Sequence, residues 1–308
     1  MMKSIRLSIV ITLLVLMSAC GDDDNGITIE PPRDLGEVAT EDEEEIVAFL
    51  ETHFYNYEEF DAPPPDFDYQ IILDTIAGEN AAKTPLIDQV SSRVITVEDE
   101  DGNAVEHTLY FLIAREGAGE NPTVADSVLV RYRGNLLDGS QFDSSNVPVW
   151  FDLAQIQSPI GGALGVSARG FAEFAPELKA GMYSGDDNGF PIFENYGIGM
   201  VIMPSGLGYF STARIGIPTY SPLIFKLEIL SINANTDHDR DGILSLTEDL
   251  NGNNYLLDDD SDDDGFPNYL DGDDDNDGTP TANEYDEDND GIPDDSDGDG
   301  IPDYLDND

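Results

Sequence analysis

Val128-Leu129-Val130-Arg131-Tyr132-Arg133-Gly134-Asn135-Leu136-Leu137-Asp138-Gly139-Ser140-Gln141-Phe142-Asp143-Ser144-Ser145 opens as a strand, with Val128 and Val130 on one face of Ser127 to Tyr132. The same period of two recurs at His107 to Ala114, Pro148 to Leu153, Gly197 to Met203 and Pro222 to Leu230. Only Phe171 to Leu178, following Arg169-Gly170, reads as a helix within this region. Antiparallel-type strands joined by loops, with one short helix to cover them, define an α+β domain. Upstream, Thr40-Glu41-Asp42-Glu43 is a capping box, and Ile46, Phe49, Leu50, Phe54 and Tyr57 follow at helical spacing. A helix from about Glu41 to Phe60 is expected, stopped by Ala62-Pro63-Pro64-Pro65, with a packing or partner-facing role and no chemistry.

Both ends of the chain differ from this middle. Lys3 and Arg6 precede an apolar run, Leu7 to Met17, that is shorter than the ~20 residues of a membrane span and has the length of a secretory signal. The chain's one cysteine, Cys20, closes that run after Ser18-Ala19, and the acidic stretch Gly21-Asp22-Asp23-Asp24-Asn25 follows it. From Thr236 to Asp308 there are 28 acids against one Arg. Their placement is regular. Asp237, Asp239, Asp241, Ser245 and Glu248 supply oxygen donors at loop positions 1, 3, 5, 9 and 12, and Gly242 stands at position 6, as a calcium loop requires. Asp249, Asn251, Asn253 and Asp260 form a second copy, with Asn254 where glycine is wanted. Asp260, Asp262, Asp264 and Asp271 surround Gly265, and Asp273, Asp275, Asp277 and Glu284 surround Gly278. Asp286, Asp288, Asp290 and Asp297 surround Gly291, and Asp295, Asp297, Asp299 and Asp306 surround Gly300. The loops leave no room for flanking helices, which Pro267, Pro280, Pro293 and Pro302 disfavour.

Composition excludes several functions. With 65 Asp+Glu against 13 Lys+Arg among 308 residues, the net charge is −52, and phosphate backbones are repelled. A nucleic-acid partner is therefore not expected. One cysteine and three histidines cannot build a Cys/His zinc site or an internal disulfide. His53, His107 and His238 have no G-x-S-x-G or reactive cysteine to serve, so a hydrolase triad is rejected. Gly161-Gly162-Ala163-Leu164-Gly165 lacks the Lys-Ser/Thr of a phosphate cradle and reads as a connection.

The 128–145 stretch resembles the opening signature of FKBP-type peptidyl-prolyl cis-trans isomerases. Arg169-Gly170-Phe171, Glu177 to Gly181, Met203-Pro204-Ser205-Gly206-Leu207-Gly208-Tyr209, Ile217-Pro218 and Leu223-Ile224-Phe225 continue it in family order. The resemblance implies a curved antiparallel sheet wrapped on a short helix. It also implies a prolyl pocket of Tyr132, Phe142, Phe171, Ile217 and Phe225, with Tyr209 and Asp143 as polar groups. Phe171 replaces the family's usual Trp, Val149 a usual aromatic, and Ala168 a usual Val or Ile, so a shallower floor is expected. Acidic Tyr183 to Tyr196 and Ser158 to Gly165 are insertions expected to rim the pocket.

Leu16-Met17-Ser18-Ala19-Cys20 resembles a bacterial lipobox, and the acidic stretch after it resembles a surface-export signal of Bacteroidota lipoproteins. The acidic tract resembles thrombospondin type 3 repeats, in which an irregular chain wraps calcium ions. The expected order is a signal peptide at 1–19, an acidic tether at 20–40, and an N-terminal helix and linking region at 41–103. An isomerase domain follows at 104–233, then calcium repeats at 236–308.

The expected function is rotation of X–Pro bonds in exported proteins, needing no cofactor, with Ca²⁺ in a structural role. The expected location is the outer membrane, periplasmic or surface-exposed, with lipid on Cys20 holding the chain to the bilayer. The alternatives are a non-catalytic proline-segment binding module of an envelope or gliding-motility assembly, and a calcium-rigidified surface spacer or adhesin.

Overall fold

A computed structural model describes residues 31–99, 101–154, 168–185, 191–288 and 290–307. In chain order the elements are α1 (Leu35–Thr52), β1 (His53–Tyr55), α2 (Tyr57–Asp61), β2 (Leu73–Thr75), β3 (Ser91–Glu98) and β4 (Ala104–Arg115). They continue with β5 (Ser127–Leu136), β6 (Gln141–Asp152), α3 (Arg169–Phe174), β7 (Met182–Gly185), β8 (Pro191–Glu194), β9 (Gly197–Met203) and β10 (Leu223–Asn233). Six strands form one sheet in the order β3-β4-β9-β10-β5-β6, and every pairing is antiparallel. The region is thus a mixed α/β domain built on an antiparallel sheet. β3 lies within the span read as a linking region, and it pairs with β4 from Ser91↔Phe111 to Glu98↔Ala104. Its alternation is weak, with Ile95 alone fully buried, because an edge strand has a neighbour on one side only.

β9 explains the architecture. All seven of its residues are buried, and Gly-Ile-Gly-Met-Val-Ile-Met is the continuous apolar run of a strand covered on both faces. On one face, Phe171, Phe174 and Leu178 of α3 and the turn after it pack with Val201, Met203, Leu227 and Ile229. On the other, Ile46, Phe49 and Leu50 of α1 pack with Met200, Ile202 and Ile224. Each such fully buried side chain contributes about 1.5–3 kcal/mol.

α1 starts and stops earlier than its apolar spacing suggests. Asp34 is the N-cap, its carboxylate accepting the Glu37 N–H at 2.8 Å, while Thr40 sits inside the helix with its hydroxyl donating to the Gly36 carbonyl. Asp34-Leu35-Gly36-Glu37 is itself a cap signal and precedes the Thr40 box by a turn and a half. After Thr52 the chain extends, and Phe54 is buried from β1 rather than from a continued helix. Asp42, inside the Thr40 box, is buried on the inner face. It accepts the Ser205 backbone N–H at 2.7 Å and the Ser205 hydroxyl at 2.6 Å. This pair fixes α1 to the turn that leads into Tyr209. Among the described residues, no helix is long and apolar enough to cross a membrane. Cys20, the acidic stretch after it, and Ser158 to Gly165 lie outside the described residues. So does the middle of the Tyr183 to Tyr196 insertion, whose flanks form the β7–β8 hairpin.

Candidate active site

β5 and β6 set the site. Their register runs from Val128↔Phe151 to Val130↔Val149, then jumps to Tyr132↔Ser145, so an irregularity containing Pro148 separates the two ends of β6. Beyond it, Gly134 lies opposite Asp143, and a Cβ built on Gly134 would fall 2.3 Å from the Phe142 ring. Glycine here lets the ring lie flat across the neighbouring strand. Phe142 meets Phe225 edge to face with centroids 5.4 Å apart, and Phe225 meets Phe171 at 5.5 Å in the same manner. Phe171 in turn meets Phe151 at 5.6 Å, and Phe151 meets Tyr132 at 5.4 Å.

These rings line a cavity of about 700 Å³ that also takes in Asp143, Ala168, Tyr209, Ile217 and the 212–215 loop. All seven expected pocket residues, Tyr132, Phe142, Asp143, Phe171, Tyr209, Ile217 and Phe225, are brought together. Phe171, Ile217 and Phe225 are buried, Tyr132, Phe142 and Tyr209 half-buried, and Asp143 exposed at the rim. The Tyr132 hydroxyl donates to Asp143 at 2.6 Å. Burial first, then the Asp143 carboxylate, pushes the Tyr132 hydroxyl far above its ordinary pKa, so it remains a donor. The Arg214 guanidinium lies over the Tyr209 ring, 4.6 Å from its centre.

The floor differs from expectation. Val149 packs on the core but does not line the cavity, and Phe151, two residues further along the same face of β6, supplies the aromatic wall. Sequence reading missed Phe151 because the irregularity at Pro148 moves the strand along its partner. It also passed over Arg214 and Ile215, the latter 98% exposed on the rim, since a loop without periodicity gives no signal of facing a pocket.

The acidic tail has one repeating geometry. In six successive loops the position 3 carboxylate or amide accepts the position 5 N–H, and the position 5 side chain accepts the position 7 N–H. The bonds onto Asp239 and Asp241, Asn251 and Asn253, and Asp262 and Asp264 show the pattern in the first three loops. Those onto Asp275 and Asp277, Asp288 and Asp290, and Asp297 and Asp299 continue it. Asp237, Asp249, Asp260, Asp286 and Asp295 accept the position 6 N–H. The glycine at that position is left-handed, φ 103° at Gly242 and 96° at Gly265, and Asn254 takes φ 61° in its place. Among the described residues of the tail, regular structure is limited to short 3₁₀ turns, three of which begin after Pro267, Pro280 and Pro302.

The carboxylates converge. One oxygen from each of Asp237, Asp239 and Asp241 lies within 4.8 Å of the others, and the same holds for Asp260, Asp262 and Asp264. It holds also for Asp273, Asp275 and Asp277, and for Asp286, Asp288 and Asp290. Buried carboxylate oxygens with no hydrogen-bond partner occur on Asp239, Asp241, Glu248, Asp260, Asp262, Asp273, Asp275 and Glu284. Burial and the neighbouring Asp239 and Asp241 push Glu248 up to about 9, and burial with Asp277 pushes Glu284 up to about 7. Hard oxygen donors that repel one another and lack partners fit a divalent cation of the calcium class.

Ser245 is fully buried. Its hydroxyl accepts the His238 N–H at 3.2 Å and meets the His238 ring at 2.8 Å. The ninth residue is a staple in four of the other five loops too: Asn268 accepts from Ser261, Thr281 from Asp274, Asp294 from Glu287 and Asp303 from Ser296. Sequence reading also missed Asp274, buried beside Asp241 and Glu248, because position 2 of a calcium loop carries no ligand.

The tail rests on the sheet domain next to the cavity. His238 Nε2 lies 3.1 Å from Asp152, the Tyr269 hydroxyl donates to the Ala154 carbonyl at 3.3 Å, and Arg169 stacks on Tyr255 at 4.2 Å.

Residues 238–292 match the family described as BamM C-terminal. The FKBP-type peptidyl-prolyl cis-trans isomerase FkpA of Escherichia coli K12 is 27% identical over 124 residues, 40% of this chain and 37% of that protein. FkpA of Buchnera aphidicola is 26% identical over 138 residues, 45% of this chain and 46% of that protein. A probable FkpA of Neisseria meningitidis is 45% identical over 51 residues, 16% of this chain and 19% of that protein. The chain therefore spans less than half the length of these relatives.

Among solved structures, Escherichia coli FkpA is similar at 25% identity and a TM-score of 0.31, over 45% of this chain and 52% of that one. A Pseudomonas syringae peptidyl-prolyl cis-trans isomerase is similar at 23% identity and a TM-score of 0.31, over 45% and 80%. Over the part it shares with them, this chain is a homologue of the FKBP-type peptidyl-prolyl cis-trans isomerases named FkpA.

Proposed function

We propose that this chain catalyses cis–trans rotation about X–Pro bonds in exported proteins. The observation that carries the reading is the aromatic cavity in which Tyr132, Phe142, Phe171, Ile217 and Phe225 meet Asp143 and Tyr209, in a chain homologous to FkpA. The barrier to amide rotation is ~18–20 kcal/mol because resonance holds the bond planar, and water strengthens that resonance by solvating the polar amide. An apolar wall of Phe142, Phe151, Phe171 and Phe225 strips water from the prolyl ring and weakens it. The Tyr209 hydroxyl, with Arg214 over its ring, faces a peptide carbonyl, and Asp143, held by the Tyr132 hydroxyl, faces the carbonyl as it twists. No nucleophile takes part.

The acidic tail holds calcium through the position 1, 3, 5 and 12 donors, and each ion supplies the charge that lets its carboxylates converge. Lipid on Cys20 anchors the chain in the outer membrane, facing the periplasm or the cell surface. Prolyl turnover by the purified chain, compared with Phe142→Ala, tests the enzyme reading with a short proline peptide and with a refolding protein limited by proline isomerisation. Turnover equal to buffer in both assays, with peptide still bound, replaces the enzyme with a proline-segment binding module. Retention of a Cys20→Ser variant in the membrane fraction would reject the anchor.

A further inference from the structure

Glu248 closes the first acidic loop, and Asp274 opens the fourth one past its first ligand, Asp273. The two are separated by 25 residues, 249–273, yet one oxygen from each of Asp241, Glu248 and Asp274 lies within 4.8 Å of the others. Both groups are withdrawn from water, Glu248 at 1% exposure and Asp274 at 2%. Neither oxygen of either carboxylate has a hydrogen-bond partner, and Asp241 adds a third unpartnered oxygen, Oδ2. Buried polar groups in folded proteins are almost always satisfied, and three buried anions aimed at one point are mutually repulsive. The Asp274 backbone is fixed independently, its N–H donating to the Thr281 hydroxyl at 3.0 Å, so the carboxylate is held at this point by its own loop. Tyr304, of the last loop, is buried close enough to feel all three acids.

We propose that Asp241, Glu248 and Asp274 hold one calcium ion between two loops that are not neighbours in sequence. This rests on the reading that the tail binds calcium, and goes beyond it by assigning a ligand that no single loop supplies. The ion fastens the first loop to the fourth and closes a ring of chain around residues 249–273. That ring carries Tyr255 and Tyr269, the residues that meet Arg169 and Ala154 of the sheet domain. The site therefore does more than fill one loop. It keeps the second and third loops folded against the domain.

The test is a calcium titration of the full chain and of Glu248→Gln, Asp274→Asn and the double variant, by calorimetry after chelation. The amides keep shape and remove repulsion, so each variant is checked for compactness by scattering in excess calcium. The expected result is one ion fewer per chain in each single variant and still one fewer, not two, in the double. Unchanged stoichiometry and affinity in Asp274→Asn, or additive losses in the double, overturns the cross-loop site while leaving calcium binding by the tail in place. Absence of binding by the unaltered chain overturns both.

Limited proteolysis in excess calcium supplies a second reading: Asp274→Asn should be cleaved within 249–273 at least tenfold faster than the unaltered chain. Equal protection there also counts against the site. Sensitised emission from Tb³⁺ in the unaltered chain should fall in Tyr304→Phe, and unchanged emission places the ion elsewhere.

Discussion

Replacing Gly134 by alanine should reverse its sign of effect according to what stands at position 142. The added Cβ lies 2.3 and 2.5 Å from two carbons of the Phe142 ring, where carbon atoms ordinarily meet at about 3.5–4.0 Å. The ring must withdraw by more than ~1 Å, which opens its edge-to-face contact with Phe225, worth about 0.5–1.5 kcal/mol. Overpacking of this kind costs about 1–3 kcal/mol. Phe142 is only half-buried and can give way, so a loss of about 1–2 kcal/mol of stability is expected. The same withdrawal removes a wall from the prolyl site, and about 1–2 kcal/mol of lost transition-state contact is a fall of about 5–30-fold in kcat/KM. Gly134 is not among the residues with positive φ, so alanine fits its backbone. In a Phe142→Ala background the clash is gone, and Gly134→Ala should stabilise by about 0.4–1 kcal/mol through the unfolded chain. Urea unfolding of the four proteins gives the stability cycle, and proline-peptide turnover gives the kinetic one. Additive effects in the cycle, or an unchanged Gly134→Ala protein, would refute the claim that this glycine exists to seat Phe142.

Tyr132→Phe deletes the 2.6 Å bond that orients Asp143 and should lower kcat/KM about 5–10-fold in a peptide assay with little change in the urea midpoint, about 1 kcal/mol or less. Burial pushes the Asp42 carboxyl up to about 6 from an ordinary 3.8, so the folded state holds a proton that the unfolded state releases between those values. Its contribution to stability is thus present below about pH 4 and is lost as pH rises through 6. The stability of Asp42→Asn relative to the parent should improve by up to about 3 kcal/mol between pH 4 and 7.5, and a pH-independent difference would contradict this. Asn254→Gly relieves a left-handed asparagine at φ 61° and should strengthen calcium binding by the second loop several-fold in titration, consistent with about 1 kcal/mol.

The pocket was legible in the sequence because its residues sit on strands of clear alternation or in short ordered blocks, as with Phe142, Phe171 and Phe225. Phe151 was not, since which residue of β6 faces the cavity depends on an irregularity at Pro148 that alternation alone cannot place. The acidic loops were legible at positions 1, 3, 5 and 6, where local hydrogen bonding fixes the side chains. Asp274 was missed because its partners are set by contact between distant loops. Likewise β3 and the buried side of α1, with Asp42, depend on what the sheet brings against them, which local periodicity does not contain.

The stapled loops carry a consequence for how such a tail is acquired. Five of the six loops are closed from the second residue to the ninth by Ser, Asn, Thr or Asp, four side chains that share only an acceptor oxygen. A unit that contains its own clasp can be duplicated in tandem and drift in composition without losing its shape. The second loop is the exception. Its ninth residue is Leu257, turned onto the core of the sheet domain, and Asn251 closes the loop instead by donating to Asp258 and Asp259. The copy without the common clasp sets its ninth residue on the sheet domain, while its neighbours reach the same domain through His238 and Tyr269, so the appendage is held along its first three loops and copies beyond them could be added or lost without releasing it.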